Sequence, residues 1–158
     1  SGLSTRRFAF EAFLPMEKKE RKEILNELVN ETRTIIIYEA PHKLVRTLKE
    51  LRETLGNRRL TLCRELTKKH ETAFHTTFDE LIKKYESEKP LGECVLVIEG
   101  KSRQELKEEA VASWETISIE EHMEIYEKQG FTRKDAMKQV AKDRGMSKRE
   151  IYQYLLKE

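Results

Sequence analysis

The chain has 158 residues, 37% of them hydrophobic and 38% charged, with a formal net charge of +2. That length holds one ordinary domain, or one of about 100 residues with a small appendage; the clustering of apolar residues into strand-like runs and helical faces excludes disorder for the bulk of it. No apolar run approaches the roughly 20 residues that span a bilayer, and the N-terminus lacks a signal-peptide core, so a cytoplasmic protein with no membrane partner is expected.

Ser1-Gly2-Leu3 opens the chain without a methionine, which fits a piece of something longer. Phe8 to Leu14 has strand composition and is stopped by Pro15. From Glu17 to about Asn30, Ile24, Leu25, Leu28 and Val29 recur at helical spacing among charges. Thr34 to Tyr38 is a β-branched run with no polar alternation, the mark of a central strand covered on both faces. Leu44, Leu48, Leu51 and Leu55 define a second amphipathic helix that closes at Gly56-Asn57.

Arg59 to Glu65 and Thr72 to Phe78 read as the third and fourth strands. Thr77 and Glu80 form a capping-box pattern for a short helix with Leu81, Ile82 and Tyr85, and Pro90-Leu91-Gly92 turns into a last strand, Glu93 to Glu99. The order β-α-β-α-β-β-α-β predicts an α/β fold with a five-stranded mixed sheet flanked by helices. Cys63 and Cys94 each lie in an apolar run with no CxxC spacing, so buried, reduced thiols are expected.

Beyond Gly100 the composition changes. Residues 101–116 are expected to be a helical or flexible connector between a domain at 1–100 and a helical module at 117–158. Residues 101–130 carry four Lys or Arg against eight Glu, a net −4; residues 131–158 carry eight against four acids, a net +4. Ser118 with Glu121, Thr132 with Asp135 and Ser147 with Glu150 mark three helix starts, and Asp143-Arg144-Gly145-Met146-Ser147 is a tight turn between the last two. That is a helix-turn-helix outline, with Arg133, Lys134, Lys148 and Arg149 placed to meet a polyanion; a helical dimerisation or docking module is the other reading.

Two polar segments sit against apolar strands. In Tyr38-Glu39-Ala40-Pro41-His42, Pro41 forces the chain out of the strand, so Tyr38, Glu39 and His42 either face a ligand or cap the next helix. No His or Cys stands at ligand spacing from His42, so no metal site is expected. Arg64 to Glu71 packs two acids, three bases and a histidine beside a buried strand, which makes either a solvated face or a polar rim for phosphate, ribose or carboxylate. His75 reads as a structural histidine, and His122 as solvent exposed on a connector helix. There is no GxGxxG, P-loop or GxSxG; if the cleft binds a nucleotide-like cofactor, the glycine-rich half of its site is not in this chain.

At these residues the chain resembles the tetrapyrrole methylase-like methyltransferases that use S-adenosylmethionine, and within them the members that modify ribosomal RNA. The match rests on Ser1-Gly2-Leu3-x-Thr5-x-Arg7-Phe8, Glu11-x-Phe13-Leu14-Pro15, Tyr38-Glu39-Ala40-Pro41-His42, Arg64-Glu65-Leu66-Thr67-Lys68-x-His70-Glu71 and Gly92-Glu93. Gly130 to Ala136 and Ser147 to Tyr152 resemble the small helical module of the same members; Ser4, where the family commonly has proline, is a departure near the interdomain hinge.

The resemblance implies the second domain of a two-domain enzyme, with the first domain absent, S-adenosylmethionine as cofactor, a homodimer, and a cytidine ribose 2′-hydroxyl of 16S rRNA in the small ribosomal subunit as acceptor. It implies cofactor contacts from Tyr38, Glu39, Ala40, Pro41, Pro90, Leu91 and Gly92. Glu65 and His70 become candidate bases and Lys68 an alkoxide stabiliser, with His42, Arg64, Thr67 and Glu71 on the RNA side of the cleft. The rivals are a related small-molecule (tetrapyrrole) methylase domain and a non-catalytic RNA-binding module.

Overall fold

A computed structural model describes residues 1–156, which form two compact units, Ser1–Ser102 and a second that begins at Arg103. The first carries β1 (Phe8–Phe13), α1 (Lys18–Leu28), β2 (Thr34–Glu39), α2 (Pro41–Leu55), β3 (Arg59–Arg64), β4 (Thr72–Thr77), α3 (Phe78–Ser87) and β5 (Cys94–Ile98). Its sheet has the order β1-β2-β5-β3-β4, with β1 parallel to β2 and every other pair antiparallel. The mixed sheet and helix order expected from the sequence are therefore present. α2 begins at Pro41, whose missing N–H costs nothing at a first helical position, and ends at Gly56 with φ 81°. α3 has a complete capping box between Thr77 and Glu80.

One core holds this unit together. Ile35, Ile37, Leu60, Leu62, Leu96 and Ile98 project from one face of the sheet onto Leu25 and Leu28 of α1, Leu44, Leu48 and Leu51 of α2, and Leu81 of α3. β2 differs from its reading: within the unit, helices cover one face of it only. On the other face Ile36 is half-buried, Tyr38 is exposed, and Phe8, Phe10 and Phe13 of β1 are more than half exposed. Part of that face is crossed by the N-terminal segment, where Thr34 Oγ1 donates to Ser4 O at 2.8 Å. An apolar run shows that a strand is central without telling which faces its neighbours cover.

The second unit contains α4 (Arg103–Ser113), α5 (Ile119–Lys128), α6 (Arg133–Asp143) and α7 (Lys148–Leu155). The three predicted caps are made: Ser118, Thr132 and Ser147 each accept the backbone N–H three residues on. Ile119, Met123, Ala136, Val140, Ala141 and Ile151 form its core. The expectation for His122 is overturned, because its side chain is fully buried. Its ring stacks on Trp114 at 3.8 Å and faces Tyr126 at 5.5 Å, while Nδ1 accepts from Arg144 Nε at 3.2 Å and Nε2 lies 3.3 Å from Asp143 Oδ2. Residues 119, 122, 123 and 126 share one helical face, so the histidine belongs to the apolar stripe of α5 rather than to an exposed helix face. Among the described residues no helix is long and apolar enough to cross a membrane.

Candidate active site

Both polar segments end on one rim of the sheet. Glu39 and Arg64 are each paired with Cys94, so β5 lies between the strands that carry them and the two segments stand about 10 Å apart, two strand spacings. The rim borders a cavity of about 480 Å³ lined by Tyr38, Glu39, Ala40 and Pro41, and also by Phe13, Leu66, Glu93, Cys94 and Val95. Such a volume suits a small organic ligand, and its walls are largely apolar.

β1 reaches the cavity through a bulge. Phe10 pairs with Ile36 but Ala12 with Ile37, and Ala12 takes φ 50°. The extra residue turns Phe13 onto the same face as Phe10, and both rings meet Tyr38 edge-on, at 5.8 and 5.1 Å. Phe13, Leu66 and Glu93 stand in the motifs that carry the resemblance but were not assigned to the site from the sequence. A readable sign of the first was the break in alternation, since aromatic residues at 8, 10 and 13 cannot share a face without a bulge.

Glu39 turns inward from the rim. Its buried carboxylate accepts Ala40 N–H at 2.8 Å and Thr47 Oγ1–H at 2.5 Å, and Thr47 Oγ1 in turn accepts from Arg21 Nη2 at 2.8 Å. Arg21 also donates to Glu50 Oε2 at 2.7 Å and to Pro15 O at 3.3 Å. This chain of bonds fixes the turn from β2 into α2, where Tyr38, Glu39, Ala40 and Pro41 line the cavity. His42 is exposed on the first turn of α2.

The loop after β3 is held just as closely. Glu65 has φ 52° and Thr67 φ 64°. Glu65 N–H donates to Glu93 O at 3.1 Å, and Glu65 Oε1 accepts Glu93 N–H at 2.7 Å. That amide, followed by Lys68 and Arg64, holds the Glu65 carboxyl below the usual range. Lys68 Nζ lies 3.0 Å from Glu93 Oε2 and 3.6 Å from Glu65 Oε2, and these carboxylates, Glu93 first, raise its ammonium above the usual range.

Gly92, with φ 78°, leaves room for the Glu65 side chain, since a Cβ there would stand 2.4 Å from Oε1. Arg64 Nε donates to Leu91 O at 2.9 Å, which ties the Pro90-Leu91-Gly92 turn to the same loop. Thr67 N–H donates to Glu71 Oε2 at 2.6 Å. His70 is exposed.

The structure thus brings Tyr38, Ala40, Pro41 and the Glu65–Glu71 loop to one rim, with Pro90–Gly92 braced behind Glu93. Arg133, Lys134, Lys148 and Arg149 are exposed in the second unit. Among the described residues no group of acids, histidines and cysteines is arranged to hold a metal ion. Cys63 and Cys94 are free, and burial pushes both thiols up.

The family model of the Tetrapyrrole (Corrin/Porphyrin) Methylases matches residues 3–82, which takes in both polar segments and all but the last strand of the sheet. The chain belongs to the tetrapyrrole methylase family. Its curated relatives include the ribosomal RNA small subunit methyltransferase I of Bacillus subtilis, 43% identical over 152 residues, covering 96% of this chain and 52% of the relative. The protein of the same name from Halalkalibacterium halodurans is 42% identical with the same coverage. That from Synechocystis is 38% identical over 157 residues, covering 99% of this chain and 54% of the relative. This tetrapyrrole methylase chain thus spans about half the length of the relatives it matches.

Proposed function

We propose that the chain is the second half of a methyltransferase that uses S-adenosylmethionine to methylate a cytidine ribose 2′-hydroxyl of 16S rRNA in the small ribosomal subunit, in the cytoplasm. In this reading residues 1–100 complete the cofactor cleft with a preceding domain, residues 101–116 connect, and residues 117–158 are an RNA-binding module. The observation that carries it is the meeting, on one rim, of an apolar cavity of about 480 Å³ and a rigid polar loop within a family of methylases.

The cavity fits half of such a cofactor. Phe13, Tyr38 and Leu66 offer apolar and aromatic surface, and the Glu93 carboxylate at its edge is already paired with Lys68. The cofactor, when bound, supplies a methyl group activated by its sulfonium. The chain's own work is to align the acceptor and take its proton. His70, exposed on the loop, takes the hydroxyl proton, and Lys68, held as a cation, stabilises the charge that develops on the oxygen. Glu65 serves differently: a carboxylate already engaged by an amide and a lysine is a weak base, so it braces the loop against Glu93. His42, Arg64, Thr67 and Glu71 border the RNA path. A second copy docks on the helix-free sheet face that exposes Phe8 and Phe10, beside the cavity.

The test is transfer of labelled methyl from S-adenosylmethionine to small subunits that lack the modification, using the full-length protein and, in parallel, this chain alone. Label on a cytidine 2′-oxygen with the full-length protein alone is expected; cofactor binding with no label on RNA would move the reading to a small-molecule acceptor. In the full-length protein His70→Ala should lower transfer by about 10²–10⁴-fold, whereas Glu65→Gln, which keeps an oxygen for the Glu93 amide, should retain most of it. Activity surviving His70→Ala and lost in Glu65→Gln would reverse the two roles.

A further inference from the structure

The helical unit carries a surface whose chemistry points to unpaired RNA, an inference that rests on the RNA reading above and refines it. On α6, Lys134, Lys138 and Lys142 follow one another at i, i+4 and i+8, all exposed, on the side away from the buried Ala136 and Val140. Four residues advance the helix by about 6 Å and return almost to the same bearing, so the three ammonium groups form a single track. Carboxylates neutralise little of it. Among the described residues Lys138 is 3.7 Å from Asp135, whose side chain is also engaged by the Thr132 cap, and Lys134 and Lys142 have no ion pair.

The start of α7 adds a second feature. Lys148 and Arg149 are exposed there, and one turn on Tyr152 leaves 53% of its surface open on the flank they occupy. Glu150, the acid of that turn, is engaged in the capping box with Ser147. An exposed aromatic face between cations has no use against a duplex, whose base faces are already stacked. The major groove of an RNA helix is also too deep and narrow for side chains to read, so a helix-turn-helix cannot work here by entering it. We infer that Tyr152 is a stacking platform for an unpaired base, with Lys148 and Arg149 on the flanking phosphates and the α6 lysines tracking the backbone of the same RNA.

The experiment is fluorescence anisotropy of this chain with three labelled RNAs, namely a single-stranded decamer, a hairpin with an unpaired loop and a fully paired duplex, each over a salt series. The expected result is tighter binding of the decamer and the loop than of the duplex. Tyr152→Ala should weaken those two by about tenfold and leave the duplex unchanged, and Tyr152→Phe should restore them. The triple variant Lys134→Ala, Lys138→Ala, Lys142→Ala should weaken every RNA and lower the salt slope by about 2–3. Because all four side chains are exposed, thermal melting should match that of the parent chain. Equal binding of all three RNAs, unmoved by Tyr152→Ala, would overturn the stacking platform while leaving RNA binding intact. No binding of any RNA would overturn the RNA reading of this unit, and the platform with it.

Discussion

Thr47 provides the sharpest check on how the rim is built. Its hydroxyl is fully buried, donates to Glu39 and accepts from Arg21, so one oxygen connects the end of β2 to α1 through α2. Thr47→Val keeps the shape and removes both bonds. A buried polar group left without its partner costs about 1–3 kcal/mol; here Glu39 keeps the Ala40 amide and Arg21 keeps Glu50 and Pro15 O, so each loss falls toward the low end. The sum is about 2–3 kcal/mol, and for a unit of some hundred residues that lowers the melting temperature by roughly 10–20 °C. Thr47→Ser, which keeps the hydroxyl and loses one buried methyl, should cost only about 1 kcal/mol.

The assay is urea unfolding followed by hydrogen exchange in peptides from β2 and α2. Trp114, the chain's single tryptophan, lies in the second unit and reports that unit by fluorescence as an internal control. A valine variant within about 0.5 kcal/mol of the parent, or more stable than the serine variant, would show that packing rather than the hydroxyl holds the turn.

Gly92→Ala should loosen the loop, because the new Cβ displaces Glu65 from the Glu93 amide and the alanine must also adopt φ 78°. Faster exchange of the Glu93 amide is expected, and an equal stability loss in a Glu65→Ala background would refute the clash. His122 sets a pH dependence in the second unit. Burial, then Arg144, lowers its folded pKa, so the unfolded chain binds a proton that the folded chain refuses. Stability should therefore be intact well above the ordinary histidine value and fall as pH drops through it. Trp114-detected melting between pH 8 and 5 should show the fall, and His122→Asn should flatten it. The thiols of Cys63 and Cys94, raised by burial, should resist an aromatic disulfide reagent at pH 7.5 in the native protein and both react in urea; prompt labelling of either in the native protein would contradict their burial.

The fold was legible wherever one local signal decided it. Pro41 at the strand exit, Gly56 at a helix end and the Thr77–Glu80 box each act through their own backbone, and each stands where the pattern put it, with Pro41 also serving as the first residue of α2. The limits of sequence reading show at β2 and His122. Alternation in β2 is masked because Ile36 is apolar on the face without helices, and a strand cannot signal what its neighbours leave uncovered. His122 is polar by type, but Trp114 and Tyr126 enclose its ring and Asp143 and Arg144 meet its nitrogens, a combination of tertiary contacts that no window of sequence displays.

At the site, the sequence reached the segments and not how the side chains inside them are engaged. Glu65, Lys68 and His70 are equally polar as letters. What separates them is the residue before β5: the Glu93 amide and carboxylate, brought beside the end of β3 by the antiparallel pairing of β3 with β5, engage Glu65 and Lys68 and leave His70 at the surface. A base must be free to receive a proton, whereas a carboxylate that accepts a backbone amide and borders a lysine is stabilised in the form that has already lost one. The strand order of the sheet therefore bears on which loop residue can do acid–base work. That is why Glu65→Gln and His70→Ala in the full-length protein test the architecture as much as the chemistry.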